Sequence, residues 1–245
     1  MRFNLFLILA LASAATHAAG PVGRVVQISG PVTVGAETLT VKTLLQPGMR
    51  LVASKDSSVT LRMADDSLVR IDGATDLTIG DFTLSTNNST GPSSSASYEL
   101  GYGLVRIVSG RVAPNGTSIV TLRTPYGDIV ANTADYRAAL CIGECAEAPG
   151  LYVCMHSGET NARSALGITT LRSGQASYFS GQQKSDRIMN SCPTFMAGVM
   201  AGSLQASLDV QAPGIPRLRQ EAQDFLSGVI DPPASPSQPV AAPPR

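Results

Sequence analysis

The sequence predicts an all-β fold. Apolar residues alternate with polar ones over short runs, and Gly, Ser and Pro interrupt those runs every few residues. Charged residues make up 15% of the chain and glycines number 23. An average domain carries roughly a quarter charged residues. Long solvated helices need more charge than this; strands and tight turns do not.

The first eighteen residues come before the β pattern. Arg2 is followed by the uncharged apolar run Phe3 to Ala12 and then by small residues ending in Thr16-His17-Ala18. That order predicts a cleavable export signal, cut after Ala18. Its apolar core is too short to span a bilayer. The expected location is periplasmic or secreted, with no membrane span in the mature chain.

Residues 19–190 form the predicted β domain. Val25, Val26 and Ile28 lead through Ser29-Gly30-Pro31 to Val32 and Val34, a strand, a turn and a strand. Val59, Leu61 and Met63 then alternate with Thr60 and Arg62. Asp65-Asp66-Ser67 turns the chain into Leu68, Val69 and Ile71, and Leu77 and Ile79 follow after Gly73. Asp65 and Asp66 invite a calcium assignment, but no further ligands follow at loop spacing, and turn chemistry accounts for them.

Ser85 to Ser97 lacks apolar periodicity and predicts a flexible loop. Ile119 to Thr160 is the densest strand region, and Pro125 breaks it. Tyr152, Cys154 and His156 are expected on one strand face, with Val153 and Met155 on the other. Ser-Gly pairs at 109–110, 157–158, 173–174 and 180–181 read as turns. Their irregular spacing gives no fixed repeat.

Residues 191–230 change character. Leu218, Ala222, Phe225, Leu226 and Val229 fall at helical spacing between Pro216 and Val229. This predicts a short helix that either caps the β body or docks a partner through Leu218, Phe225 and Leu226. Residues 231–245 hold six prolines and predict a disordered or polyproline-like tail.

Four cysteines, Cys141, Cys145, Cys154 and Cys192, favour two disulfides in an exported chain. Three connectivities are open. Cys141–Cys145 with Cys154–Cys192 is preferred, because the first pair flanks the turn residues Ile142-Gly143-Glu144. One Cys-x3-Cys pair with two scattered cysteines is a poor match to zinc spacing, so no metal is expected.

Lys+Arg and Asp+Glu number 18 each. There is no basic excess to draw in nucleic acid. Tryptophan is absent and aromatics are 5%, which also argues against stacking platforms for single strands. Once His17 leaves with the signal, His156 is the only histidine available to a Ser-His-Asp or Cys-His centre. No Gly-x-Ser-x-Gly elbow or Gly-rich phosphate loop accompanies it. No catalytic residue and no cofactor site are therefore expected, and the chain is read as not an enzyme.

The order of motifs from Val22 to Phe179 resembles the FecR domain. Gly23-Arg24-Val25 turning at Gly30, Leu44 with Gly48 and Leu51, Ser57-Ser58-Val59-Thr60-Leu61, and Asp65 to Ile71 come first. Leu104 to Gly110, Thr124-Pro125 with Gly127 to Val130, Leu151 to Gly158, and Leu171 to Gln175 complete it. Two positions depart from the family pattern: Asn132 stands where a glycine is usual, and Asp65-Asp66 replaces an Asp-Gly turn. Both residue types tolerate positive φ. The resemblance implies an elongated or solenoid-like stack of short strands, not a closed barrel. Known relatives that regulate sigma factors join this domain to a cytoplasmic segment and a membrane span that this sequence does not show. The functional expectation is a non-catalytic exported envelope protein, a binding or scaffold module for a protein or glycan partner. The alternative is a soluble periplasmic regulator in a signalling system.

Overall fold

Four long strands carry the fold, and each turns a corner near its middle. The computed structural model describes residues 20–85, 93–110, 117–143, 147–180, 187–189 and 191–196. Among these residues the strands are β1 (Gly23–Ser29), β2 (Val32–Val34), β3 (Glu37–Thr38), β4 (Leu44–Leu45), β5 (Arg50–Ala53), β6 (Ser58–Met63) and β7 (Leu68–Ser85). They continue with β8 (Ser93–Val108), β9 (Thr117–Thr124), β10 (Gly127–Cys141), β11 (Gly150–Ser164), β12 (Gly167–Arg172), β13 (Ala176–Phe179) and β14 (Arg187–Met189). All belong to one open, mixed sheet. The all-β class is as the alternation predicts.

The sheet doubles over into two layers because β7, β8, β10 and β11 each contribute one arm to both. Layer A runs β4-β1-β6-β7-β8-β10-β11-β13-β14, using residues 68–72, 104–108, 135–141 and 150–157 of the bent strands. Layer B runs β3-β2-β5-β7-β8-β9-β10-β11-β12 through their other arms. In layer B, β9 enters between β8 and β10, parallel to the first and antiparallel to the second. Every other pairing is antiparallel.

Backbone geometry fixes the corners. Register shifts fall between Asp72 and Asp76 and between Asn132 and Asp135, as expected of bulges that bend a strand. Gly103 has φ +96, and a Cβ there would overlap Thr75 Oγ1 and the Ala74 carbonyl. The Thr75 hydroxyl donates to the Asp72 carbonyl (2.9 Å) and accepts from the Leu104 amide (3.0 Å), so it locks both strands at the bend. On β10 the positive φ belongs to Thr133 (+48), not to Asn132 as the sequence suggested; Asp66 (+65) is in the expected conformation.

The expected strand, turn and strand around Ser29-Gly30-Pro31 are present, and the turn is an arch: β1 pairs in layer A, whereas β2 pairs in layer B. Other local expectations are corrected. Ser157-Gly158 lies inside β11, at its corner, because the chain bends there without reversing. Alongside the short strands, β7, β8, β10 and β11 run 15 to 18 residues. Residues 93–97, expected within a flexible loop, open β8. Ala96 joins the core, the buried Ser94 hydroxyl bonds to Asp65 and Ser118, and the Ser97 hydroxyl accepts from the Asp81 amide.

The core lies between the layers. Val69, Ile71, Val105, Ile107 and Val153 face it from layer A, opposite Leu77, Leu100, Val120, Leu122 and Ile129 of layer B. One end is closed by Asp65, which is 1% exposed. Its Oδ1 accepts from the Ser67 amide (3.0 Å) and hydroxyl (2.6 Å), and its Oδ2 from Ser94 (2.6 Å) and Ser118 (3.2 Å). Asp65 is thus a hub joining the β6–β7 turn to β8 and β9. The expected turn is present, as the Asp66 to Met63 backbone bond shows (3.0 Å).

The proposed signal (residues 1–18), most of the segment 191–230 and the tail 231–245 lie outside the described residues, with Thr194–Met196 forming a short 3-10 turn. Among the described residues no helix is long and apolar enough to cross a membrane.

Candidate binding face

The outer face of layer A carries a row of arginines. Strand register places Thr60, Arg70, Arg106, Arg137 and Cys154 side by side on β6, β7, β8, β10 and β11. Like charges directly across neighbouring strands repel. Two aspartates on the same face relieve the repulsion. Arg70 holds Asp72 through Nε (2.8 Å) and Nη2 (2.7 Å), and Arg106 holds Asp135 through Nε (2.8 Å) and Nη2 (2.6 Å). Such forked pairs are strong and directional.

Arg137 has no such acid. Its Nη1 donates to the Met196 carbonyl (2.9 Å), while its buried Nε has no hydrogen-bond partner. Burial, and then the neighbouring Arg106 charge, push its pKa below the ordinary value.

Beside this row lies a second apolar cluster. Ala139, Cys141, Tyr152, Cys154 and Ala176 project outward from layer A and are covered by Phe195 and Met196. The cover is fixed covalently by a disulfide between Cys154 and Cys192, with Cα atoms 5.5 Å apart, and Phe195 packs edge-on against Tyr152 at 5.3 Å. This is one of the two preferred bridges. Cys141 is 3% exposed, and its expected partner Cys145 lies outside the described residues.

A cavity of about 150 Å³ opens where this cover meets the corner of β7 and β8. Leu104, Ala139, Leu140 and Phe195 give it apolar walls, Ala74 and Gly103 form its corner side, and Asp72 and Glu147 border it. Asp72 is already paired with Arg70, which leaves exposed Glu147 as the open carboxylate at the mouth.

His156 is exposed at an irregularity in the β10–β11 pairing, between Met155, which pairs with Tyr136, and Ser157, which pairs with Asp135. Tyr152 and Cys154 share the outer face and Val153 and Met155 the core, as alternation predicts. Among the described residues no cluster of three or more His, Cys, Asp or Glu is placed to hold a metal ion. The proposed docking residues Leu218, Phe225 and Leu226 lie outside the described residues. Sequence reasoning missed the arginine row and the cavity. The row needs the inter-strand register, and the cavity is built by segments far apart in the chain.

No family model matches the chain, and no curated protein matches it. Among solved structures the chain is similar to two, each described as an anti-sigma factor from Parabacteroides distasonis ATCC 8503, one at 1.65 Å and the other at 2.50 Å resolution. The first comparison gives a TM-score of 0.43 and 13% identity over 66% of this chain and 65% of that one. The second gives 0.44 and 12% over 58% and 60%. This chain therefore spans less than two thirds of either structure, and a likeness at this level assigns no function.

Proposed function

We propose that this chain is an exported, non-catalytic binding module of the FecR-like kind, whose polypeptide partner inserts one side chain into the cavity beside Phe195. The cavity carries this reading. At about 150 Å³ it is well below the roughly 300–1,000 Å³ of pockets that enclose small ligands, so it suits a single apolar side chain better than a cofactor. Its walls stand on bent strands and on a disulfide-held cover, which preorganises the site and lowers the ordering cost of binding. Glu147 at the mouth favours a basic residue next to the inserted side chain. The Cys154–Cys192 bond supports a place in an oxidising compartment.

The test is a photoreactive phenylalanine analogue at position 195, activated in intact cells. An adduct with an envelope polypeptide is expected, and Ala74→Trp, which fills the cavity from its exposed corner, should suppress it at least tenfold. An adduct that forms equally well in the Ala74→Trp background would sink the proposal, and so would no adduct at all.

A further inference from the structure

We infer that β12 is a self-association edge, through which two copies of the chain pair β12 to β12 about a two-fold axis at Thr169. This surface is remote in the sheet from the cavity and independent of the reading given above.

Sheet edges that are long, flat and unprotected recruit other strands. Among the described residues, the edge strands β3, β4 and β14 are two or three residues long. By contrast β12 has six, Gly167–Arg172, with no proline, no lysine and no bulge. Among the described residues it pairs only with β11. Ile168 is 65% exposed and Leu166, at the adjoining turn, 48%.

Hairpin geometry defines which backbone groups are available. The two-residue turn between Ser164 and Gly167 makes that pair hydrogen-bonded. Antiparallel alternation then makes Arg163–Ile168, Asn161–Thr170 and Glu159–Arg172 the non-bonded pairs. Ile168, Thr170 and Arg172 therefore point their N–H and C=O groups away from β11. Arg172 confirms the phase: its amide donates to Gln175 Oε1 (2.8 Å) and its carbonyl accepts from the Gln175 amide (2.9 Å). Gln175 thereby closes one end of the edge, and the turn closes the other. The open groups are those of Ile168 and Thr170.

That window is self-complementary. A two-fold axis normal to the sheet and passing beside Thr169 sets Ile168 of each copy opposite Thr170 of the other. The N–H and C=O of both residues are then satisfied reciprocally. Thr169 meets its own counterpart at a non-bonded position, where paired residues come closest. All the facing side chains are β-branched, which suits cross-strand packing. A heterologous strand has no need of this symmetry, whereas a second copy satisfies the whole window with one interface repeated by the axis. A contact this short falls below the roughly 1,000 Å² of a stable interface, so the dimer is concentration-dependent.

Sedimentation of the purified chain over a wide concentration range tests the inference. The wild type is expected to show a monomer–dimer equilibrium. Thr170→Pro removes an outward amide without touching the β11 ladder, and Ile168→Lys places a charge on the edge. Each should weaken association at least tenfold, with an unchanged circular dichroism spectrum. Thr169→Cys should give a covalent dimer on mild oxidation beyond any wild-type background, and Ile168→Cys should not. A wild type that stays monomeric at the highest concentration would overturn the inference. So would association insensitive to Thr170→Pro, or capture of a different polypeptide by this edge in place of a second copy.

Discussion

Arg106 and Asp135 form a forked ion pair at 2.8 and 2.6 Å, with Arg70 and Arg137 directly across the strands on either side of Arg106. The pair is nearly buried, with side chains 11% and 12% exposed. The aspartate compensates Arg106 within an otherwise repulsive row.

Asp135→Ala is therefore expected to be strongly destabilising. Breaking a buried pair from one side costs about 3–5 kcal/mol, because the remaining charge is left without compensation. The double replacement Arg106→Met with Asp135→Leu removes both charges and should recover most of that loss. Urea unfolding of the three proteins checks this. Equal destabilisation by the single and double variants would show that side-chain packing matters here, and not charge.

Asp65→Ala should also unfold the protein more readily, for a different reason. Ser67, Ser94 and Ser118 would lose their shared acceptor inside the protein, and an unsatisfied buried donor costs about 1–3 kcal/mol. Asp65→Asn keeps one carbonyl oxygen and should fall between the wild type and alanine. Chemical denaturation measures the order, and hydrogen exchange should show the loss concentrated in β8 and β9 near Ser94 and Ser118.

Much of the fold was legible because alternation is a local signal. Val59, Leu61 and Met63 face the core, and the turn at Asp65-Asp66 joins β6 to β7 as their pattern implies. The corners were not legible. Ser157-Gly158 reads as a turn, yet Gly158, like Gly73 and Gly103, lies within a strand that passes from one layer to the other. Ser94 reads as loop because its partner Asp65 lies 29 residues away, outside any local window. The arginine row was hidden for the same reason: Arg70, Arg106 and Arg137 become neighbours only through pairing. Of the cysteine framework, Cys154–Cys192 is present, one of the two bridges preferred among three connectivities that the sequence leaves open.

Alkaline pH should unfold the protein through Tyr98 and Tyr136. Both hydroxyls are buried in the core without a hydrogen-bond partner; Ser67 stands near Tyr98 but lacks bonding geometry. Burial raises both pKa values above the ordinary 10.0, with the Asp65 charge adding to the shift at Tyr98. The folded state therefore holds these protons to higher pH than the unfolded chain does. Their contribution is fully present below pH 10 and declines as pH rises beyond it, by about 1.4 kcal/mol per pH unit for each tyrosine. Tyrosinate absorbance is unobscured because the chain has no tryptophan. Tyr98 and Tyr136 should titrate only as native circular dichroism is lost. Tyr98→Phe with Tyr136→Phe should shift the alkaline transition upward.

Reduction of Cys154–Cys192 should act first on the cover of layer A. The bridge closes a sequence separation of 38 residues, for which restriction of the unfolded chain contributes roughly 2–4 kcal/mol. The segment it anchors holds Phe195 against Tyr152 and Met196 beneath Arg137. Its release would expose Ala139, Tyr152 and Ala176 and remove one wall of the cavity. The core between the layers draws on neither cysteine, so it should survive. Cys154→Ser with Cys192→Ser is thus expected to lower the melting temperature by about 5–15 °C. Hydrogen exchange should rise at the outer arms of β11 and β13 before β7 and β8 are affected. Cooperative loss of both layers on reduction would mean that the bridge stabilises the whole body and not its cover.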